Sequence, residues 1–318
     1  MQVDAGATLA FNRRDHVSFS SLISGEGRFI KQGTGNLTLN QGLSLKQGVE
    51  IQSGSLILQA GASLTGPLHL GHQVELYLEE GATLRLRDGI SGSGTITHLG
   101  SLLSLSGSVT ADYLFAQYGG MTEVPAQVVL GEAGRSTTVN IRNISMEQGG
   151  RLDVVGPATQ VLGKSETDRR PSELTLTGGQ MAVRDGAQVS RDRASVSAGG
   201  QLRVQGAGSL LEVRGAWDQG NTFQLKSKAT VELADGGRLV TDFLWLDGTD
   251  VQLTVQGPGS SLQASYLRSS QNSQIQVLSG ALLESGETGT PRLALPTLDA
   301  KMLVSGAGDI KLTKDGNV

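Results

Sequence analysis

The sequence predicts an all-β protein, a right-handed parallel β-helix (solenoid) that forms an elongated rod. Three observations predict it: phrases that recur about every 50 residues, apolar residues that alternate in short runs, and a composition rich in glycine and poor in rings. Among 318 residues there are 45 Gly and 7 Pro, and aromatic residues make up only 4%. A layered globular domain of this length normally buries many rings, because each removes a large apolar area from water. Stacked coils fill a narrow core with Leu, Val, Ile and Ala instead.

The repeats come first. GGRLDVV at 149–155 is followed by Gly156, GGQLRVQ at 199–205 by Gly206, TDVQLTVQ by Gly257 and AKMLVS by Gly306. Each glycine opens a similar turn: GPATQVL, GAGSLLEV, GPGSSLQA, GAGDIKL. A second series lies between them, ending at Gly186, Gly236 and Gly286. Two interleaved series at one period mark a repeat architecture.

Within the units Leu174 and Leu176, Leu202 and Val204, and Leu253 and Val255 alternate with polar neighbours, the period of a half-buried strand. The runs end at Asp185-Gly186, Asp235-Gly236 and Asp247-Gly248, where a positive φ is tolerated. Stacking such coils ~4.8 Å apart makes ladders of Leu and Val and satisfies the backbone along the axis. Each buried aliphatic side chain then contributes roughly 1.5–3 kcal/mol. At about 20 residues per coil, the expectation is on the order of 15 coils in a rod ~70 Å long. The expected division is coils over 1–106, irregular coils or an excursion over 107–148, and coils in roughly 50-residue repeats over 149–318, with the last repeat expected to be truncated at the C-terminus.

A formal charge of −4 argues against polyphosphate binding, so nucleic acid is not an expected partner. With no Cys, disulfides, Cys-based zinc sites and thiol nucleophiles are excluded. No apolar run reaches the roughly 18 residues that a membrane-spanning helix needs. The start, Met1-Gln2-Val3-Asp4, lacks the basic and apolar regions of a signal peptide.

Ala158 to Ser165, ATQVLGKS, satisfies the loose phosphate-loop pattern. A phosphate loop needs a strand before it and a helix after it, whereas this segment aligns with the turns at Gly206 and Gly257, and the match is read as coincidental. His69 and His72 would point to opposite faces of a strand and are read as surface or turn histidines. His16 and His98 are read the same way. Asp88, Asp185, Asp235 and Asp247 mostly precede glycines, so turn chemistry explains them. There is no G-x-S-x-G elbow and no HExxH. The chain is therefore expected not to be an enzyme, with no catalytic residues, no metal ligands and no cofactor.

Candidate binding residues are fewer. Phe243 and Trp245 lie two apart on one strand face. Facing outward they would form an apolar or sugar-stacking platform; facing inward they are core, the reading preferred here. Two polar excursions, 163–173 with Arg169 and Arg170, and 265–274 with Tyr266 and Arg268, are placed where loops on a rigid scaffold carry recognition. A solvated loop is the default for both.

Residues 25–39, GEGRFIKQGTGNLTL, carry Gly25, Gly27, Phe29, Lys31, Gly33, Gly35, Leu37 and Leu39 in the pattern G-x-G-x-Φ-x-K-x-G-x-G-x-L-x-L. This resembles the passenger-associated strand repeat of bacterial autotransporters (type V secretion). A weaker copy starts at Gly92 and has His98 while departing at the Lys position; a third starts at Gly306 with Lys314 displaced by two residues. The coils from about 149 resemble the G-[AP]-G-S-x-L coils of other passengers, so the resemblance covers most of the chain apart from roughly 107–145. It implies a surface-exposed or secreted segment at the surface of a Gram-negative bacterium. The parent chain would be anchored by an outer-membrane β-barrel absent here. The implied role is an adhesive and structural rod contacting host surface proteins, glycans or neighbouring bacterial cells. A polysaccharide-acting β-helix enzyme and a pure stalk supporting export and folding are the alternatives.

Overall fold

The computed structural model describes residues 1–99, 102–117, 126–163, 171–215, 223–269 and 273–285, together with the backbone of strands Arg292–Ala294, Lys301–Ser305 and Asp309–Leu312. Every described strand pairing is parallel, apart from one isolated antiparallel bridge between Glu132 and Arg135, and no helix occurs among the described residues. The arrangement is a β-solenoid. The chain divides into two compact units, Met1–Leu152 and Asp153–Val318.

In the first unit the strands Arg28–Gln32, Val49–Ile51, Leu68–Leu70 and Ile90–Gly92 stack as one ladder. Leu37–Leu39, Ser55–Leu58, Glu75–Leu78 and Thr95–His98 stack as a second. Short strands Ile23–Gly25, Leu43–Leu45 and Leu64–Thr65 continue the coil on another side. The inward rows are Leu and Ile: Leu56, Leu76, Ile96 and Leu114 lie in register and are fully buried.

His98 departs from its expected surface position. It is in register between Leu78 and Ala116, fully buried in the inward row. Its Nε2 meets the Gln127 carbonyl at 3.1 Å, and burial lowers its pKa to about 4. The other three histidines are exposed, with His69 Nδ1 2.9 Å from Ser91 Oγ and His16 Nδ1 accepting from the Asn36 amide.

Of the segment 107–148, expected to hold irregular coils or an excursion, the described residues 107–117 and 126–148 contain regular strands. Gly107–Gln117 and Thr137–Glu147 pair from Gly107↔Thr137 to Gln117↔Glu147, and Gln127–Leu130 ladders onto Leu102–Leu105. The alternation slips at one residue: Val109 and Ala111 face inward, then Leu114 and Ala116. The strand turns a corner at Asp112 without a loop, and Asp112 pairs there with Arg142. A period-2 reading fails at such a corner because the inward parity changes.

In the second unit the strands Gln180–Arg184, Gln201–Gln205, Thr230–Ala234, Gln252–Gln256 and Gln274–Leu278 stack in sequence. Val183, Val204, Leu233, Val255 and Val277 form one fully buried column. The 50-residue repeat proves to be two coils of unequal length, since Gln160 ladders with Gln188, Gln188 with Leu210, and Leu210 with Arg238. The two glycine series interlock through buried hydroxyls. Ser209 and Ser260 each close a turn by donating their amide to the carbonyl of Gly206 or Gly257. Their Oγ atoms accept the amides of Gly186 and Gly236, both at 3.0 Å. Asp185 and Asp235 adopt φ of 58° and 53° in these turns, as their place before glycine predicts.

Candidate functional site: an aromatic and arginine patch on an outward face

Strand Arg238–Asp247 supplies half of the patch. Leu239 and Thr241 face inward, and after Asp242 the inward residues are Leu244 and Leu246. The parity change turns Phe243 and Trp245 outward, half-buried. The preferred reading of these two as core is thus corrected: Leu244 and Leu246 hold the core positions. Sequence alternation alone left both faces open because FLWL is apolar on each.

Strand Ser261–Ser269 supplies the other half. Ser265 to Ser269, read as part of a polar excursion, belong to this strand, and the same slip recurs at Ser265: Leu262 and Ala264, then Leu267 and Ser269, face inward. Tyr266 and Arg268 therefore point outward, in register with Phe243 and Trp245. Gln224 lies in register with Trp245 on the preceding coil.

The pairs make direct contact. The Phe243 and Tyr266 rings stack with centroids 4.5 Å apart and planes 20° from parallel, an arrangement worth about 0.5–1.5 kcal/mol beyond its buried area. Arg268 Cζ sits 5.0 Å from the centroid of the Trp245 ring, a cation–π contact worth about 0.5–1 kcal/mol where exposed. Trp245 Nε1 is shut off from water with no hydrogen-bond partner among the described residues. The sequence marks two of the four residues as a strand pair and the other two as part of a polar loop. The shared offset from Phe243 to Tyr266 and from Trp245 to Arg268 was the sequence signal that joins them.

The other candidates fall elsewhere. Arg169 and Arg170 lie outside the described residues, as do Lys164 and Ser165 of the phosphate-loop-like phrase. Thr159–Leu162 of that phrase is a strand, and Thr159 Oγ1 donates to the Val155 carbonyl at 2.7 Å. The base of the 163–173 excursion is tied down by a cluster the sequence did not suggest. Asp192 Oδ2 accepts from the Ser172 amide and hydroxyl, each at 2.8 Å, and the Asp192 amide donates to Ser172 Oγ at 3.0 Å. Arg191 beside them is fully buried, and burial lowers its pKa to about 10 while Asp192 opposes that shift. Among the described residues no group of three His, Asp or Glu is arranged to hold a metal ion.

Comparison of the chain with protein-family models, curated proteins and solved structures finds no match.

Proposed function

We propose that this chain is a surface-exposed or secreted segment of an autotransporter passenger, a β-helical scaffold that adheres through its sides. The observation that carries the adhesive reading is the outward patch of Phe243, Trp245, Tyr266 and Arg268. Aromatic and Arg side chains grouped on a surface are the residue types that most often anchor binding. A rigid parallel ladder fixes their spacing without ordering a loop on each binding event. The passenger origin is supported by the phrase at 25–39, whose glycines and lysine each meet a geometric demand of the coil. A Cβ at Gly35 would lie 2.1 Å from the Asp15 carbonyl oxygen, and Gly33 has a φ of +75° while facing the Arg13 backbone.

Binding of the folded chain to arrays of glycans and of host surface proteins tests the reading. Adhesion predicts saturable binding that Trp245→Ala reduces at least tenfold while the fold is retained. A chain that binds no member of either array is not an adhesin.

A further inference from the structure

Arg268 is exposed and, among the described residues, has no ion-pair partner. Its planar guanidinium is held over the Trp245 ring. The contact with the ring restrains the cation, and its N–H fork, which makes no ion pair among the described residues, stays available to an oxyanion. Phe243 and Tyr266 each spend one ring face on the other, which reduces the area open to stacking by a neutral sugar and gives the cation the leading part.

We infer that Trp245, Tyr266 and Arg268 form a binding site for an acidic polysaccharide, with a carboxylate or sulfate group on the free edge of the Arg268 guanidinium and the sugar packed beside the aromatic pair. The inference rests on the adhesive reading and specifies its ligand. The chain carries a formal charge of −4, so a polyanion is repelled by the molecule as a whole. Its capture then requires a local cation such as this one.

The test uses the whole 318-residue chain and three immobilised polymers: polygalacturonate for carboxylate, dextran sulfate for sulfate, and neutral dextran. The expected result is binding to at least one acidic polymer, weakened by salt, and none to dextran. Arg268→Gln weakens binding at least tenfold, and Arg268→Lys, which keeps the charge but loses the planar fork, weakens it severalfold. Lys46→Gln, at an exposed cation of the first unit that is paired with Glu26, leaves it unchanged. Equal binding by the Arg268→Gln variant, or equal binding to dextran, overturns the inference. If the chain binds other glycans or proteins regardless of Arg268, the acidic site is wrong and adhesion stands; if it binds nothing, both fall.

Discussion

The Lys31 ammonium donates to the Ser53 carbonyl at 2.9 Å, tying the end of one strand to a turn on the next coil. Its other acceptors are the carbonyls of Gly33 at 2.8 Å and Gln32 at 3.2 Å. The side chain is fully buried, in register between Phe11 and Ile51 in the inward row. A Cβ at Gly54 would come within 2.9 Å of Nζ, so the glycine leaves the room the lysine uses. His98 occupies the same position of the second motif copy, six residues after Gly92, and likewise turns inward to a main-chain carbonyl.

Lys31→Met keeps most of the buried stem and removes the donor, leaving three main-chain carbonyls short of a charged partner. The expected cost is about 2 kcal/mol, seen as a lower urea midpoint with an unchanged slope. No change in midpoint would mean that water replaces the ammonium at no cost.

His98 gives stability a pH dependence whose sign follows from its burial. The folded pKa of about 4 lies below the ordinary value of 6.5, so the unfolded chain binds more protons between those values. The contribution is fully present above pH 6.5 and lost as pH falls toward 4. Between pH 7 and pH 4.5 the loss is about 2–3 kcal/mol. His98→Leu should flatten that part of the urea-midpoint profile, at the cost of about 1 kcal/mol at pH 7 for the hydrogen bond to Gln127. A variant with the same pH profile as the parent would place the titration elsewhere.

The parallel solenoid was legible in the sequence because its inward rows alternate and its turns demand glycine. Val204 and Val255, or Gly206 and Gly257, announce themselves by type and spacing. The corners at Asp112, Asp242 and Ser265 were not legible, because a strand that bends without a turn residue carries no punctuation and only shifts parity. That is why period-2 reading places Phe243 and Trp245 in the core, and polar composition places Tyr266 and Arg268 in a loop. Arg191 and His98 were missed for a different reason: a buried polar residue is recognised by the groups that satisfy it, and those come from other coils.

The Asp192 cluster should behave as a unit. Asp192→Ala strands the Ser172 amide and hydroxyl and removes the negative charge next to buried Arg191. Breaking one partner of a buried charged pair typically costs about 3–5 kcal/mol. Ser172→Ala removes only a hydroxyl and is expected to cost about 1 kcal/mol. Chemical denaturation followed with both variants checks the order, and an equal, small effect would show that Asp192 is solvated in the folded state.

Adjacent residues on one strand give the sharpest test of the outward patch. Leu246 is fully buried, in register between Leu225 and Ser269, and Leu246→Ala should cost about 2–5 kcal/mol, since it removes transfer energy and leaves a cavity. Trp245 is the larger side chain, yet it is half-buried on the other face. Trp245→Ala forfeits the contact with Arg268, and also frees the chain from an indole N–H held away from water without a partner. Its expected cost is about 1 kcal/mol. Urea unfolding of both variants separates the two faces. If the tryptophan variant proved the less stable, the ring would belong to the core, and no side chain at 245 would be placed to hold Arg268 toward a ligand.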